Sequence, residues 1–264
     1  MRSSFAVPAL VLALALTAAQ CRGGDVDAEA LQLAYRAEVT PRLAVPPAEA
    51  QRYGILLLEA LDGTAESFRE PQYVALVDRN PYVQAVLLFR VADGSPPVLV
   101  GASPVSTGRP GSFDHFMTPL GVFAHSPANP DFRAEGTRNA NGIRGYGVKG
   151  MRIFDLGWQS AERLWGAGGV GTMRLQMHAT DPDVLEARLG TVQSKGCVRI
   201  PASLDRFLDH YGVLDADYLA ARVPSWVLPA DQRPVAEAGR FIVVVDSNRA
   251  HRPAWSPSAS HGER

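Results

Sequence analysis

The chain has 264 residues, 46% of them hydrophobic and 20% charged, which suits one generous domain with extensions or two small domains. A formal net charge of -1 excludes attachment to a polyanion such as nucleic acid by bulk charge.

Met1 and Arg2 precede an apolar run from Phe5 to Leu16, and Thr17-Ala18-Ala19 follows. A basic start, an apolar stretch too short to cross a bilayer and small residues after it have the form of a signal peptide, 1–19. The expectation is an exported protein of the periplasm or cell envelope. Cys21 offers a second reading, as the lipidated first residue of a lipoprotein, although Gln20 stands where such sites carry Gly or Ala. A membrane is a partner only in that case. Cys21 and Cys197 are the two cysteines, and in an oxidising compartment two cysteines ordinarily pair. Cys197, however, lies inside a motif of its own, so it reads as an unpaired nucleophile.

Residues 20–71 read as an N-terminal helical extension without chemistry. Pro46-Pro47 marks a helix start, and Ile55, Leu58 and Leu61 give the spacing of a face on a core. From Tyr73 the texture changes to strands. Tyr73–Val77 and Tyr82–Val91 are separated by Asp78-Arg79-Asn80-Pro81, a hairpin signature, and Val98–Val100 follows a second turn. Strands joined by short turns predict a mainly antiparallel β domain over 72–246. Pro127 to Gly150 is a long Gly-, Asn- and Arg-rich loop. Ser160 to Trp165 reads as a helix, and Met173–Met177 alternates as a half-buried strand. Asp181-Pro182 opens a short helix ending at Gly190. Leu204, Phe207, Leu208 and Tyr211 share a helical face closed by Gly212, and Phe241–Val245 is an apolar strand. The tail, 247–264, is polar and reads as disordered.

Gly166-Ala167-Gly168-Gly169-Val170-Gly171 matches G-x-G-x-x-G, but a dinucleotide fingerprint needs a strand before it and a helix after it. Here the order is reversed, so the stretch reads as a turn. His115, His125, His178 and His210 are scattered without metal-ligand spacing, and neither metal nor cofactor is expected.

The block that carries chemistry runs from His178-Ala179-Thr180 to Ser194-Lys195-Gly196-Cys197-Val198-Arg199-Ile200. Gly196 permits a sharp turn beside the nucleophile, and such a turn aims backbone N–H groups at a developing oxyanion. A histidine paired with Cys197 would shift it toward thiolate. Lys195 would do the same if its ammonium reached the sulfur. The alternatives are a buried structural cysteine and a satisfied strand-end histidine.

This block resembles the catalytic signature of the L,D-transpeptidases, the YkuD-like domains. A second family element is present as Ser106-Thr107-Gly108 and Thr118-Pro119-Leu120-Gly121-Val122-Phe123. The sequence departs at Ala179, where the family often has Gly or Ser, and at Lys195, where it usually has His. The resemblance implies a β-rich, sandwich-like catalytic domain with short helices acting on peptidoglycan stem peptides. Cys197 would attack the stem and expel its terminal D-alanine, with His178 as base. The thioester would pass to a stem amine, an acceptor protein or water. Gly196 and Cys197 N–H groups, on a loop with Ser194 and Lys195, would bind the oxyanion. Thr180 and Arg199 would contact substrate, or Arg199 would make a structural salt bridge. Trp158 and Trp165 lie where a substrate-covering lid is expected, or pack in the core. Rival readings are a hydrolase of the same fold, a papain-like or NlpC/P60-like peptidase, disfavoured because His178 precedes Cys197, and a non-catalytic wall-binding module.

Overall fold

The apolar runs become strands because they bury on both faces, and two sheets with their covering helices take up nearly all of them. The computed structural model describes residues 28–63, 70–221 and 226–257. The expected signal segment and Cys21 lie outside those residues. Helix α1 covers 28–38 and α2 covers Pro47–Asp62. The first sheet contains β1 (Gln72–Asp78), β2 (Ala85–Val91), β3 (Val98–Pro104), β4 (Gly121–Ala124) and β9 (Phe241–Val245), in the order β3-β2-β1-β9-β4. The second holds β5 (Phe132–Arg133), β6 (Arg152–Glu162), β7 (Val170–Ala179) and β8 (Val198–Ile200), in chain order. Helices α3 (Ala202–His210) and α4 (Ala216–Ala221) follow β8.

The protein is β-rich with a few short helices, as the strand texture predicted. Its strand pairing is mainly antiparallel, as expected, with two parallel exceptions: β1 with β9 and β7 with β8. Phe241–Val245 forms an interior strand between β1 and β4. An all-apolar run suits a strand covered on both sides. Period-two alternation divides β1: Ala75 and Val77 meet Phe154, Leu175, Met177 and Val198 of the second sheet, whereas Val74 and Leu76 join the core under α2.

The N-terminal segment is part of these cores. Leu31 and Tyr35 of α1 enter the inter-sheet core, where Tyr35 meets Phe207 edge-on at 5.2 Å. In α2 the buried face is Tyr53, Leu57 and Leu61, whereas Ile55 and Leu58 are exposed. The run Ile55–Leu58 is apolar all round, so its spacing could not choose the face; the Tyr53 hydroxyl does, donating to the buried Asp78 carboxylate at 2.7 Å. The tail is ordered through Pro257. Trp255 packs edge-on against Tyr53 at 5.7 Å, and the Ser256 hydroxyl donates to the carbonyl of Val83 at 3.0 Å. Ser160 to Trp165 is not helical: β6 runs to Glu162, and the glycine-rich stretch is the β6–β7 hairpin turn. Trp165 packs there on Phe116 at 4.7 Å, while Trp158 is exposed.

Arg152, fully buried at the start of β6, ties the second sheet to α4. Its Nε donates to Asp131 at 2.6 Å and its Nη1 to Asp215 at 2.8 Å. A buried guanidinium is tolerated only when paired in this way. Among the described residues, no helix is long and apolar enough to cross a membrane.

Candidate active site

The parallel β7–β8 ladder puts the motif together. Met177 pairs with Val198 and His178 with Arg199, and the alternation sends Met177 and Val198 into the core. His178 and Arg199 therefore project from the opposite face. Cys197, one residue before β8, lies two register positions from His178. Its half-buried thiol points along β7, with the sulfur 3.7 Å from the Arg174 carbonyl oxygen. No hydrogen bond joins Cys197 and His178 directly, so the expected contact is an adjacency on neighbouring strands.

Nδ1 of His178 lies 2.8 Å from the carbonyl oxygen of Ala179. A carbonyl can only accept, so this bond places the proton on Nδ1 and leaves Nε2 with its lone pair free. Burial pushes the imidazole pKa down to about 4, aided by the Arg199 charge and opposed by the Ala179 bond. Burial likewise pushes the Cys197 thiol up to about 11, against the lowering effects of the Gln176 backbone and Arg199. Both groups are uncharged at neutral pH. A raised thiol pKa runs against the resting thiolate expected from the pairing, so any reaction of this sulfur as a nucleophile would need its proton removed.

The loop that carries Cys197 is built by cross-links between the two motif elements. The Ser194 hydroxyl donates to the Cys197 carbonyl at 2.6 Å and accepts from the Gly196 N–H at 3.0 Å. The Gly196 carbonyl accepts from the Thr118 hydroxyl at 2.7 Å, and that same hydroxyl oxygen accepts from the Gly108 N–H at 3.0 Å. Gly196 has φ +131°, and a Cβ there would lie 2.7 Å from the Met173 sulfur. A Cβ on Gly108 would fall 1.9 Å from the Phe116 carbonyl oxygen. Each of these positions admits only glycine without rearrangement.

Several expected roles change. The Gly196 N–H is already taken by Ser194, so it is not a free oxyanion donor; the Cys197 N–H has no hydrogen-bond partner among the described residues and is the better candidate. The Lys195 ammonium lies 3.0 Å from the Asp114 carboxylate, and both side chains are more than half exposed. It is thus engaged in a solvent-screened pair and does not tune the thiol. Thr180 is 1% exposed and its N–H donates to Ile200, so it closes the ladder and does not face substrate. The Arg199 guanidinium makes no salt bridge among the described residues; its one side-chain hydrogen bond there is a long one, 3.5 Å, to the Gln193 carbonyl, while its backbone pairs with Ser106. Burial lowers its pKa, as does Arg109 nearby.

Four residues of the site escaped the sequence reading: Tyr146, Asp155, Arg174 and Gln176. The ring of Tyr146 meets that of His178 edge-on at 4.6 Å. Arg174 and Gln176 could have been found, because they are the polar members of the same alternation that ends at His178. Tyr146 and Asp155 carried no such signal. Comparison with models of known protein families finds no match, and comparison with curated proteins finds none either. Among the described residues, no cluster of His, Cys, Asp or Glu could hold a metal.

Proposed function

We propose that the protein is a cysteine-dependent acyltransferase of the L,D-transpeptidase type, working on peptide stems of the cell wall. The observation that carries this reading is a neutral His178, fixed by Ala179 with Nε2 unprotonated, on the strand beside Cys197. The finer likeness of the β-rich fold to that family's catalytic domain belongs to the same proposal. It is supported by the meeting of residues 106–108, 118 and 194–197 at the nucleophile loop.

As the sulfur attacks the stem carbonyl, Nε2 of His178 takes the thiol proton, so thiolate forms only where it is used. The carbonyl oxygen becomes an oxyanion, for which the Cys197 N–H is the donor. The imidazolium returns its proton to the leaving amine as the C–N bond breaks, and a thioester remains. An acceptor amine or water then attacks, giving its proton to Nε2, and the thiol is regenerated. Arg199, charged and without a carboxylate partner, suits a carboxylate of the substrate.

The experiment is incubation of the purified protein with muropeptides, with products resolved by mass spectrometry. Loss of a terminal D-alanine, together with a cross-linked or trimmed stem, is expected, and Cys197→Ala should abolish both. Residual turnover in that variant would remove Cys197 from the mechanism.

A further inference from the structure

Tyr146 lies in the loop between β5 and β6, yet three sets of contacts hold it in place. Its hydroxyl donates to Oε1 of Gln176 at 3.1 Å, and Nε2 of Gln176 donates to Oδ2 of Asp155 at 2.9 Å. Asp155 is fully buried; the same oxygen accepts from Nε of Arg174 at 2.7 Å, and Oδ1 accepts from the Gly157 N–H at 2.9 Å. The carboxylate therefore fixes which way the Gln176 amide faces, and the amide oxygen is left to receive the phenol. On the other side the loop is stapled to the residues just after His178. The Arg144 N–H donates to Asp181 at 2.8 Å, with Nη1 at 2.6 Å from Asp183. Gly147 has φ +78° and approaches so closely that a Cβ would lie 2.9 Å from Cβ of Ala179.

We infer that Tyr146, tethered through Gln176 to the buried Asp155 carboxylate, is a positioning residue for His178. This rests on His178 being the base. The ring covers one side of an imidazole that is only 4% exposed, and the Ala179 carbonyl holds its Nδ1. Together they fix the ring's rotation and exclude water that would stabilise the imidazolium. Arg199, its partner across the β7–β8 ladder, is the cation that acts on the ring from β8, and Asp155 with Arg174 is the charged pair behind the tether. Without Tyr146 the imidazole gains both water and rotational freedom.

The test is nitrogen-15 NMR of the His178 ring against pH. The full chain should show one neutral Nδ1–H tautomer from pH 8 down to about pH 5. In Tyr146→Ala the titration midpoint should climb toward the ordinary value of about 6.5, with mixed tautomers. Tyr146→Phe and Gln176→Met, which keep the ring or the backbone but cut the tether, should move it the same way by less. If Tyr146→Ala is unfolded, those two variants decide. An unmoved midpoint and a single tautomer in the folded variants would overturn the inference. Muropeptide turnover is read separately: its absence from the wild type, with the histidine shifts present, would remove the transpeptidase reading and leave the positioning role standing.

Discussion

The Thr118 hydroxyl joins Gly196 to Gly108, accepting from the Gly108 N–H at 3.0 Å and donating to the Gly196 carbonyl at 2.7 Å. Thr118→Val keeps the shape but strands both buried backbone groups. Each stranded group costs about 1 to 3 kcal/mol, so a loss near the sum is expected in denaturant unfolding. Thr118→Ser should recover most of it. A Val variant as stable as wild type would show the bridge to be incidental.

Lys195 is paired with Asp114 on the surface. Alkylation of Cys197 in Lys195→Met should therefore follow the same pH dependence as in the wild type, rising toward the raised thiol pKa of about 11. A midpoint higher by about one unit, with a salt-sensitive gap, would return the ammonium to the sulfur.

Arg199 faces the site without a carboxylate partner. Arg199→Gln should raise the apparent KM for carboxylate-bearing stems about 10- to 100-fold, as expected for losing a charge-assisted hydrogen bond, with kcat changed less. Arg199→Lys should recover only part, because an ammonium cannot reproduce the planar fork. Unchanged KM in both variants would assign Arg199 to the fold.

Asp205 is buried, one oxygen accepting from the Arg152 N–H and the other without a partner. Burial pushes its pKa up to about 7, with Asp209 adding to the rise. The folded state therefore holds a proton that the unfolded chain loses near pH 3.9, and stability from this group falls by up to about 1.4 kcal/mol per pH unit across that window. Asp205→Asn should raise the melting temperature at pH 8, and the gain should vanish below about pH 4. His178 acts with the opposite sign. Its depressed pKa of about 4 gives stability present above about pH 6.5 and lost as pH falls, so the two partly cancel in the wild type. Urea unfolding of the variant at several pH values separates them, and a pH-independent Asn effect would contradict the assignment.

Trp255 stacks edge-on against Tyr53, and Arg249 pairs with Glu49 of α2. Trp255→Ala should cost about 2 to 3 kcal/mol, less than for a fully buried aromatic because Trp255 is only half-buried. Truncation after Asp246 should cost at least as much. A melting curve that ignores both changes would restore the tail to the disordered state its composition suggested.

Local chemistry in the sequence determined a good deal of this protein by itself. Apolar runs bounded by turn residues marked β1, β2, β7 and β9, because strand burial and turn preference act within a few residues. The glycine beside Cys197, the histidine closing an alternating strand and the element around Thr118 each stood out singly in the sequence. What needed the tertiary structure was every relation across long separations. Parallel pairing of β7 with β8 decided that His178 and Cys197 stand two register positions apart. Packing decided which face of α2 is buried, since Gly54–Leu58 is apolar on every side. Burial set both titrating groups uncharged, a property of the surrounding volume and not of either residue. The partner of Lys195 came from a loop 81 residues earlier in the chain, and the tether of Tyr146 from two strands. A polar side chain's role depends on which group is left without water, and that is settled only when distant segments close around it.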